Sequence, residues 1–460
     1  LTGLMQSRVE KDLLGKMEIP ADSYTGIHTA RARANFPISD KFIRPEIIRA
    51  IGTVKKAAAE ANLELGYLDA DKADAIILAA GEAAGGRFRE LFDLDALQGG
   101  AGTSANMAVN EVIANRALEL LGRRKGDYSA INPIGHVNLH QSTNDVFPTA
   151  LKIAAIEGIR FLAGAAEELQ GELQRKESEF AGIPFIGRTE MQNAVPVTLG
   201  AVFASLAEAV SRDRWRTFKC EERLRVVNIG GTAVGSGLTA PRRYIFLVIE
   251  KLRLETGYGL SRAEQIMGET ANADAFVEVS GILDAAAANI IKIAGDLRLL
   301  HFTGEITLPA MQAGSSIMPG KVNPVICESA IQSGMRAQAN HGLLARCAAS
   351  GSLQINEFMP LIADCLIDSI YILKNIFSIF AKHVSGISAN REVCERIFRE
   401  SESIITAFVP HIGYERCEAL AAEFRNSPED DFKEFLSDKL GAELVQRTLA
   451  PENLMSLGFR

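Results

Sequence analysis

The chain has 460 residues, 47% of them hydrophobic and 23% charged, which is the balance of a soluble globular protein with enough length for more than one core. Its formal net charge of −8 excludes a general nucleic-acid surface, though not a local cationic pocket for a small acid. No uncharged apolar run reaches membrane-spanning length, no basic-then-apolar leader opens the chain, and the six cysteines form no C-x-x-C pair. Together these features predict a cytoplasmic protein with reduced thiols, no metal site and no membrane partner.

In chain order, Pro20 to Gly26 is a turn-rich approach, and Pro45 to Leu63 and Lys72 to Leu91 read as amphipathic helices. Gly99 to Ser104 is a small-residue loop before a helix from about Asn106 to Leu121. From Pro148 onward the pattern is long and helical. Further helices are expected over Thr198 to Leu224, Val325 to Ala348 and Leu361 to His383. Val279, Ile282, Leu283, Ala286, Ile290, Ile293, Leu297 and Leu300 recur at steps of three and four, which makes one buried stripe of a bundle helix. Val226 to Pro241 is glycine-rich and irregular. It lacks both a Gly-Lys-Ser/Thr ending and G-x-G-x-x-G, which argues against nucleotide binding. The character changes near Ser388, after which helices are shorter and more charged. The expected organisation is mainly α: an N-terminal domain over 1–140, a central helix-bundle domain over 141–388 and a small C-terminal domain over 389–460.

Polar residues gather in four places. Gly314 to Pro324 places Ser315, Ser316, Lys321 and Asn323 in one loop with glycines at 314 and 320. Successive N–H groups there can cradle an anion, the serines offer a nucleophile or base, and Lys321 offers fixed charge. The other clusters are Gly102 to Met107, His140 to Asp145 and Gly187 to Ala194. Helix capping accounts for single members, with Thr103 or Ser104 as one cap and Asp145 as another. It does not account for five polar residues in a row.

The order and approximate spacing of these clusters resemble the aspartase/fumarase superfamily, as do Glu10 to Gly15, Pro20 to Asp22 and His28 to Phe36. The resemblance runs from about residue 9 to the C-terminus. Leu308 to Ala313, Glu10 to Gly15, and Gly187-Arg188-Thr189 followed by Ala194-Val195-Pro196 are more similar to the aspartase branch than to the fumarase branch. The resemblance implies a three-domain fold whose central long-helix bundle assembles into a tetrameric helical core, with active sites shared between subunits of the homotetramer. It implies a carbon-nitrogen lyase that eliminates ammonia from L-aspartate to give fumarate, with no cofactor.

That reaction removes a proton beside a carboxylate that is already negative, so its main task is stabilising an aci-carboxylate dianion. The resemblance assigns the base to Ser315 and charge stabilisation to Lys321. Thr103, Ser142, Thr143, Asn144, Thr189, Glu190, Ser316 and Asn323 are implied to bind substrate. Glu328 stands behind Lys321, and Arg31 adds positive charge near the site. Serine is a poor base unless a closed, dry loop supplies N–H groups that lower its pKa.

Three departures bear on substrate. Glu190 stands where the family has His or Gln. It is neutralised by Lys321 or an arginine, protonated through burial, turned away from the pocket, or matched to a substrate with an amine or amide in place of a carboxylate. The His301 to Glu305 segment is several residues short. Ile134-Gly135 replaces Asn-Asp before His136, which weakens the case for a secondary dicarboxylate site. The alternatives are a class II fumarase, a lyase for another substituted succinate or amino acid, and a non-catalytic structural protein of the same fold. Retention of Ser315, Lys321 and Asn323 argues against the last.

Overall fold

The structure is a computed structural model that describes residues 6–456 and residue 458. Among these residues it is mainly helical, with β-structure confined to short two-stranded pairs. The chain forms two compact units, one from residues up to 161 with 216–284 and 336–372, the other from 162–215, 285–335 and 373 onward.

The first unit opens on an antiparallel hairpin, β1 (Ser7–Asp12) and β2 (Gly15–Pro20), in register from Ser7↔Pro20 to Asp12↔Gly15. Helix α1 (Ile27–Asn35) has no side-chain cap of its own. The buried Glu111 carboxylate accepts its first N–H groups instead, from Gly26 and His28 at 2.8 Å each. Helix α2 (Pro45–Glu64) starts on proline at its first turn and buries Ile47, Ile51, Val54, Ala58 and Ala61 along one stripe. It packs closely on α3 (Ala70–Ala84). A Cβ on Gly52 would stand 2.7 Å from the Ala84 backbone nitrogen, so glycine permits the crossing.

The helix expected to reach Leu91 ends at Ala84 instead. Apolar periodicity continues through Phe88 and Leu91, but Gly85 and Gly86 (φ +86°) break the helix, and only a short 3₁₀ turn, Arg89–Leu91, follows. Helix α4 (Thr103–Leu120) begins three residues earlier than its apolar pattern suggests. Helix α5 (Thr143–Glu179) runs 37 residues with Pro148 inside it.

In the second unit, β3 (Pro184–Thr189) and β4 (Gln192–Thr198) form a hairpin. Ile186 of β3 packs into an aromatic core of C-terminal helices with Phe398, Phe424, Phe432 and Phe435, which anchors the hairpin. Helix α6 (Leu199–Leu224) follows; α7 (Arg242–Thr256) and α8 (Ile266–Ala271) belong to the first unit, and α6 and α9 (Asp274–Phe302) have residues in both. Helices α10 (Val325–Ala349) and α11 (Met359–Ser385) complete the long set. The stripe on α9 is buried as expected, except that Ile282 is half-buried. Between α6 and α7 the glycine-rich stretch is irregular apart from a two-residue strand, Val226–Val227. No helix among the described residues is long and apolar enough to cross a membrane.

Candidate active site

In the first unit, α5 begins behind Ser142 in a reciprocal cap. The Ser142 N–H donates to Asp145 Oδ1 at 2.9 Å, and Ser142 Oγ accepts from the Asn144 N–H at 3.3 Å. Asp145 is fully buried, and its Oδ2 also accepts from the N–H groups of Gly230 (3.1 Å) and Thr232 (2.8 Å). Burial pushes its carboxyl up to about 6, while these donors and the Lys55 ammonium pull it back. Asn144 Nδ2 donates to the Ala233 carbonyl at 2.7 Å. The Asn144 carbonyl loses its helical donor to Pro148 and accepts from Asn228 Nδ2 at 2.9 Å instead. The polar turn is thus held from several sides before any ligand arrives.

Thr103 lies beside this turn. Asn106 Nδ2 of α4 donates to Thr143 Oγ1 at 3.1 Å, which sets the start of α4 against the start of α5. Neither Thr103 nor Ser104 is the helix cap. That position is Gly102, at φ +93°, where a Cβ would fall 2.3 Å from the Phe147 ring. Thr103 is exposed, and its hydroxyl donates to the Gly100 carbonyl at 2.7 Å. With the capping role taken by glycine and its proton given to Gly100, the Thr103 hydroxyl keeps its acceptor side for another task.

Sequence reasoning missed Lys55. It lies fully buried beneath the turn and donates to Asn138 Oδ1 (2.7 Å) and Gln141 Oε1 (2.9 Å). Burial pushes its ammonium down to about 7, against the pull of Asp145. Asn138 Oδ1 also accepts from Asn106 and Asn110, whose own Oδ1 atoms are buried without partners, as is the Tyr244 hydroxyl. The available signal was a lysine one residue beyond Val54 on the apolar face of α2. His140, at φ +63°, is held by Asn62, with its Nδ1 2.7 Å from Oδ1.

In the second unit, the loop after Ala313 is closed at its base. The Gly314 N–H donates to the Lys321 carbonyl at 2.7 Å, and Asn323 Nδ2 donates to the Gly314 carbonyl at 2.9 Å. A Cβ on Gly314 would stand 2.8 Å from that Lys321 oxygen, so only glycine permits this closure. Inside the loop, Ser315 Oγ accepts two backbone N–H bonds, from Ile317 (3.1 Å) and Met318 (2.9 Å). Such donors favour the ionised form of the group they bind. Ser316 and Lys321 are exposed, and Lys321 makes no ion pair among the described residues. Glu328 sits in the first turn of α10, 3.9 Å from Arg298.

At the tip of the β3–β4 hairpin, Glu190 (φ +50°) and Met191 (φ +62°) form a two-residue turn with both residues left-handed. Asn-Gly usually fills such turns. Thr189 and Glu190 are exposed. Arg188 points elsewhere and grips the fully buried Glu305 through two bonds of 2.9 Å. Within this chain Glu190 is therefore neither buried nor neutralised by Lys321 or its neighbouring arginine. Two of the readings of Glu190 thus have no support within one chain. Within the second unit no hydrogen bond joins this tip to the Gly314 loop among the described residues.

Arg31 does not add net charge to the first unit's cluster. It pairs with Asp12 through bonds of 2.7 and 2.9 Å, and this guanidinium holds the Asp12 carboxyl below the usual range. His136 is also engaged, its Nδ1 accepting from the Asn132 N–H at 2.9 Å. No three His, Cys, Asp or Glu side chains group as potential metal ligands among the described residues.

A family model described as "Lyase" matches residues 15–339. The chain belongs to the aspartase/fumarase superfamily of lyases. An aspartate ammonia-lyase from a Bacillus species is 44% identical over 422 residues, covering 90% of each chain. The aspartate ammonia-lyase of Escherichia coli K12 is 42% identical, covering 88% of this chain and 87% of its own. Among solved structures, a fumarate lyase:delta crystallin from Brucella melitensis bound to cobalt superposes with a TM-score of 0.94 at 41% identity, over 98% of this chain and 100% of that one. A class II fumarase from Schistosoma mansoni gives 0.90 at 30% identity, over 97% and 98%. The mainly α fold expected from the clusters is the fold of this lyase.

Proposed function

We propose that this lyase eliminates ammonia from L-aspartate to give fumarate. One observation carries the chemistry: Ser315 Oγ already accepts two backbone N–H bonds in a loop closed by Gly314. The likeness to aspartate ammonia-lyases over most of the chain supports the substrate.

In this reading Ser315, ionised to its alkoxide beside the loop N–H donors, takes the C3 proton of aspartate and becomes the hydroxyl. The electron pair left on C3 spreads into the adjacent carboxylate, giving the aci-carboxylate dianion. Its collapse forms the C2–C3 double bond and expels the amine from C2. Lys321 and the N–H groups of the loop oppose the developing charge. Thr103, Ser142, Thr143, Asn144, Thr189, Ser316 and Asn323 orient the carboxylates and the amine without adding competing charge. Asn323 already spends its Nδ2 on Gly314, so its contribution comes through the loop geometry and its Oδ1 acceptor. Glu328 stands behind this set. No cofactor takes part.

We further propose a cytoplasmic homotetramer whose sites combine clusters from different subunits, with domains over 1–140, 141–388 and 389–460. Large apolar side chains left exposed on the long helices support assembly, among them Phe302 at 88% and Met335 at 56%. A lyase for another substituted succinate or amino acid is the second reading, and the unpaired Glu190 carboxylate favours it. Direct assay of ammonia and fumarate release from aspartate, malate and a panel of amino acids separates the two. Turnover of aspartate well above the panel is expected, and preference for another amino acid would overturn the substrate assignment.

A further inference from the structure

We propose that the first unit carries a second ligand site, a cleft that binds a small oxyanion of the phosphate or carboxylate type. A cavity of about 510 Å³, well suited to a small molecule, lies between the start of α2 and the segment after α3. Lys41, Arg44, Glu46, Arg49, Arg87 and Arg89 line it, giving five cations against one carboxylate in a chain whose net charge is −8. Carboxylates behind the lining pair with four of these cations, but each takes up only part of a guanidinium fork or ammonium, so donors remain to meet an anion in the cleft. None of these residues belongs to the candidate active site.

The cations are positioned in advance. Lys41 sits 2.7 Å from Asp364, Arg49 2.6 Å from Glu157 and Arg87 2.6 Å from Glu82. Arg44 lies 3.6 Å from Asp368. These four carboxylates are not part of the cleft lining, so they hold the cationic groups without filling the cavity. The Arg89 side chain is exposed and makes no ion pair or hydrogen bond among the described residues, while its carbonyl accepts the Phe92 N–H at 3.3 Å.

Inside the cleft the hydrogen bonding is incomplete. Among the described residues, Arg44 Nε and Glu46 Oε2 are buried and make no hydrogen bond; they face each other only as an ion pair at 3.5 Å. Buried polar atoms of this kind are normally satisfied by protein, water or a bound ion. Helix α2 starts here with no side-chain cap and with Glu46 in its first turn, so its N-terminal dipole adds positive potential at this end.

The segment that presents Arg87 and Arg89 is held in an unusual backbone conformation. Gly86 (φ +86°) and the buried Phe88 (φ +71°) are both left-handed, and the Arg87 guanidinium lies 5.1 Å above the Phe88 ring. Guanidinium forks match carboxylate and phosphate oxygens alike, so the chemistry of the site is that of an oxyanion. Glu46 is the internal competitor: an arriving anion takes over the donors its carboxylate now faces.

The test is calorimetric titration of the full-length enzyme with inorganic phosphate. Saturable binding is expected, weakened at least ten-fold in the Arg87→Gln/Arg89→Gln double variant and several-fold in Arg89→Gln alone, which removes no internal partner. Glu46→Gln is expected to tighten it several-fold, which a purely structural role for Glu46 does not predict. Displacement of the bound phosphate by fumarate assigns a dicarboxylate as the source of the oxyanion, and displacement by adenosine monophosphate assigns a phosphate ester. Absence of phosphate binding to the wild-type enzyme, or equal affinity in the arginine variants, overturns the proposal.

Discussion

The turn at Ser142–Asp145 and the loop at Gly314–Pro324 are both short, polar and opened by small residues, yet they are built in opposite ways. The turn is anchored by atoms from α4, from the Gly230–Ala233 stretch and from the buried Lys55 network. Among the described residues the loop's hydrogen bonds run within itself, through Gly314, Lys321 and Asn323, and Ile317 on it is 84% exposed. One region gains its precision from a rigid surround, the other from two glycines and a serine. The turn is a fixed floor and the loop a self-contained strap, so perturbations of the two should differ in kind. Changes in the loop should cost turnover, and changes under the turn should cost stability.

The largest expected effect is in the loop. Ser315→Ala should lower turnover of aspartate by about 10³-fold or more, because the proposed base is lost, while size-exclusion elution and melting temperature stay at wild-type values. Near-normal turnover would remove Ser315 from its role and break the comparison at its centre. Under the turn, Asp145→Asn replaces an acceptor-only carboxylate facing three N–H groups with an amide that cannot accept them all. A loss of about 3 kcal/mol in denaturant unfolding is expected. A loss below about 1 kcal/mol would show that the floor is less rigid than its hydrogen bonds imply.

A smaller effect follows from Lys55. Its folded pKa, about 7, lies below the ordinary 10.5. Between these values the unfolded chain holds a proton that the folded chain lacks, so this residue's contribution to stability rises with pH. From pH 7 to 9 wild type should gain about 1–2 kcal/mol relative to Lys55→Met, measured by denaturant unfolding at fixed protein concentration. A flat difference would mean the ammonium stays charged throughout. At the hairpin tip, Glu190→Gln should raise kcat/KM for aspartate by a few-fold, and a clear fall would give Glu190 a positive role in the site. The smallest effect is Met191→Gly, which should stabilise by about 0.5–1 kcal/mol by relieving one left-handed side chain.

Much of the architecture was legible because period and punctuation agreed. The α9 stripe from Val279 to Leu300 could bury itself only as a long helix, and the helices over Val325 to Ala348 and Leu361 to His383 appear within two residues of their expected ends. The error at Lys72 to Leu91 arose from weighing Phe88 and Leu91 above Gly85 and Gly86. Backbone preference decided there, and Phe88 was buried by a different route while Leu91 stayed half-buried. In the site, the four polar clusters stood out as runs of hydroxyls and amides that capping could not explain. Lys55 did not, because one of two adjacent lysines on α2 looks like an ordinary exposed charge until the partners that surround it, Asn138 and Gln141, are seen to arrive from more than eighty residues away. The left-handed turn at Glu190 was hidden for a related reason, since neither glutamate nor methionine advertises positive φ.

Pro148 leaves a gap in the first turns of α5, and Asn228 fills it from 84 residues downstream. For protein engineering this makes the His140–Asp145 string a poor candidate for transplantation. Grafted onto another helix with its proline but without an amide from a distant loop, the Asn144 carbonyl would have no donor and the recognition atoms would lose their aim. The portable unit is the string together with the glycine-rich stretch that repairs it, and a minimal scaffold for this chemistry must carry both.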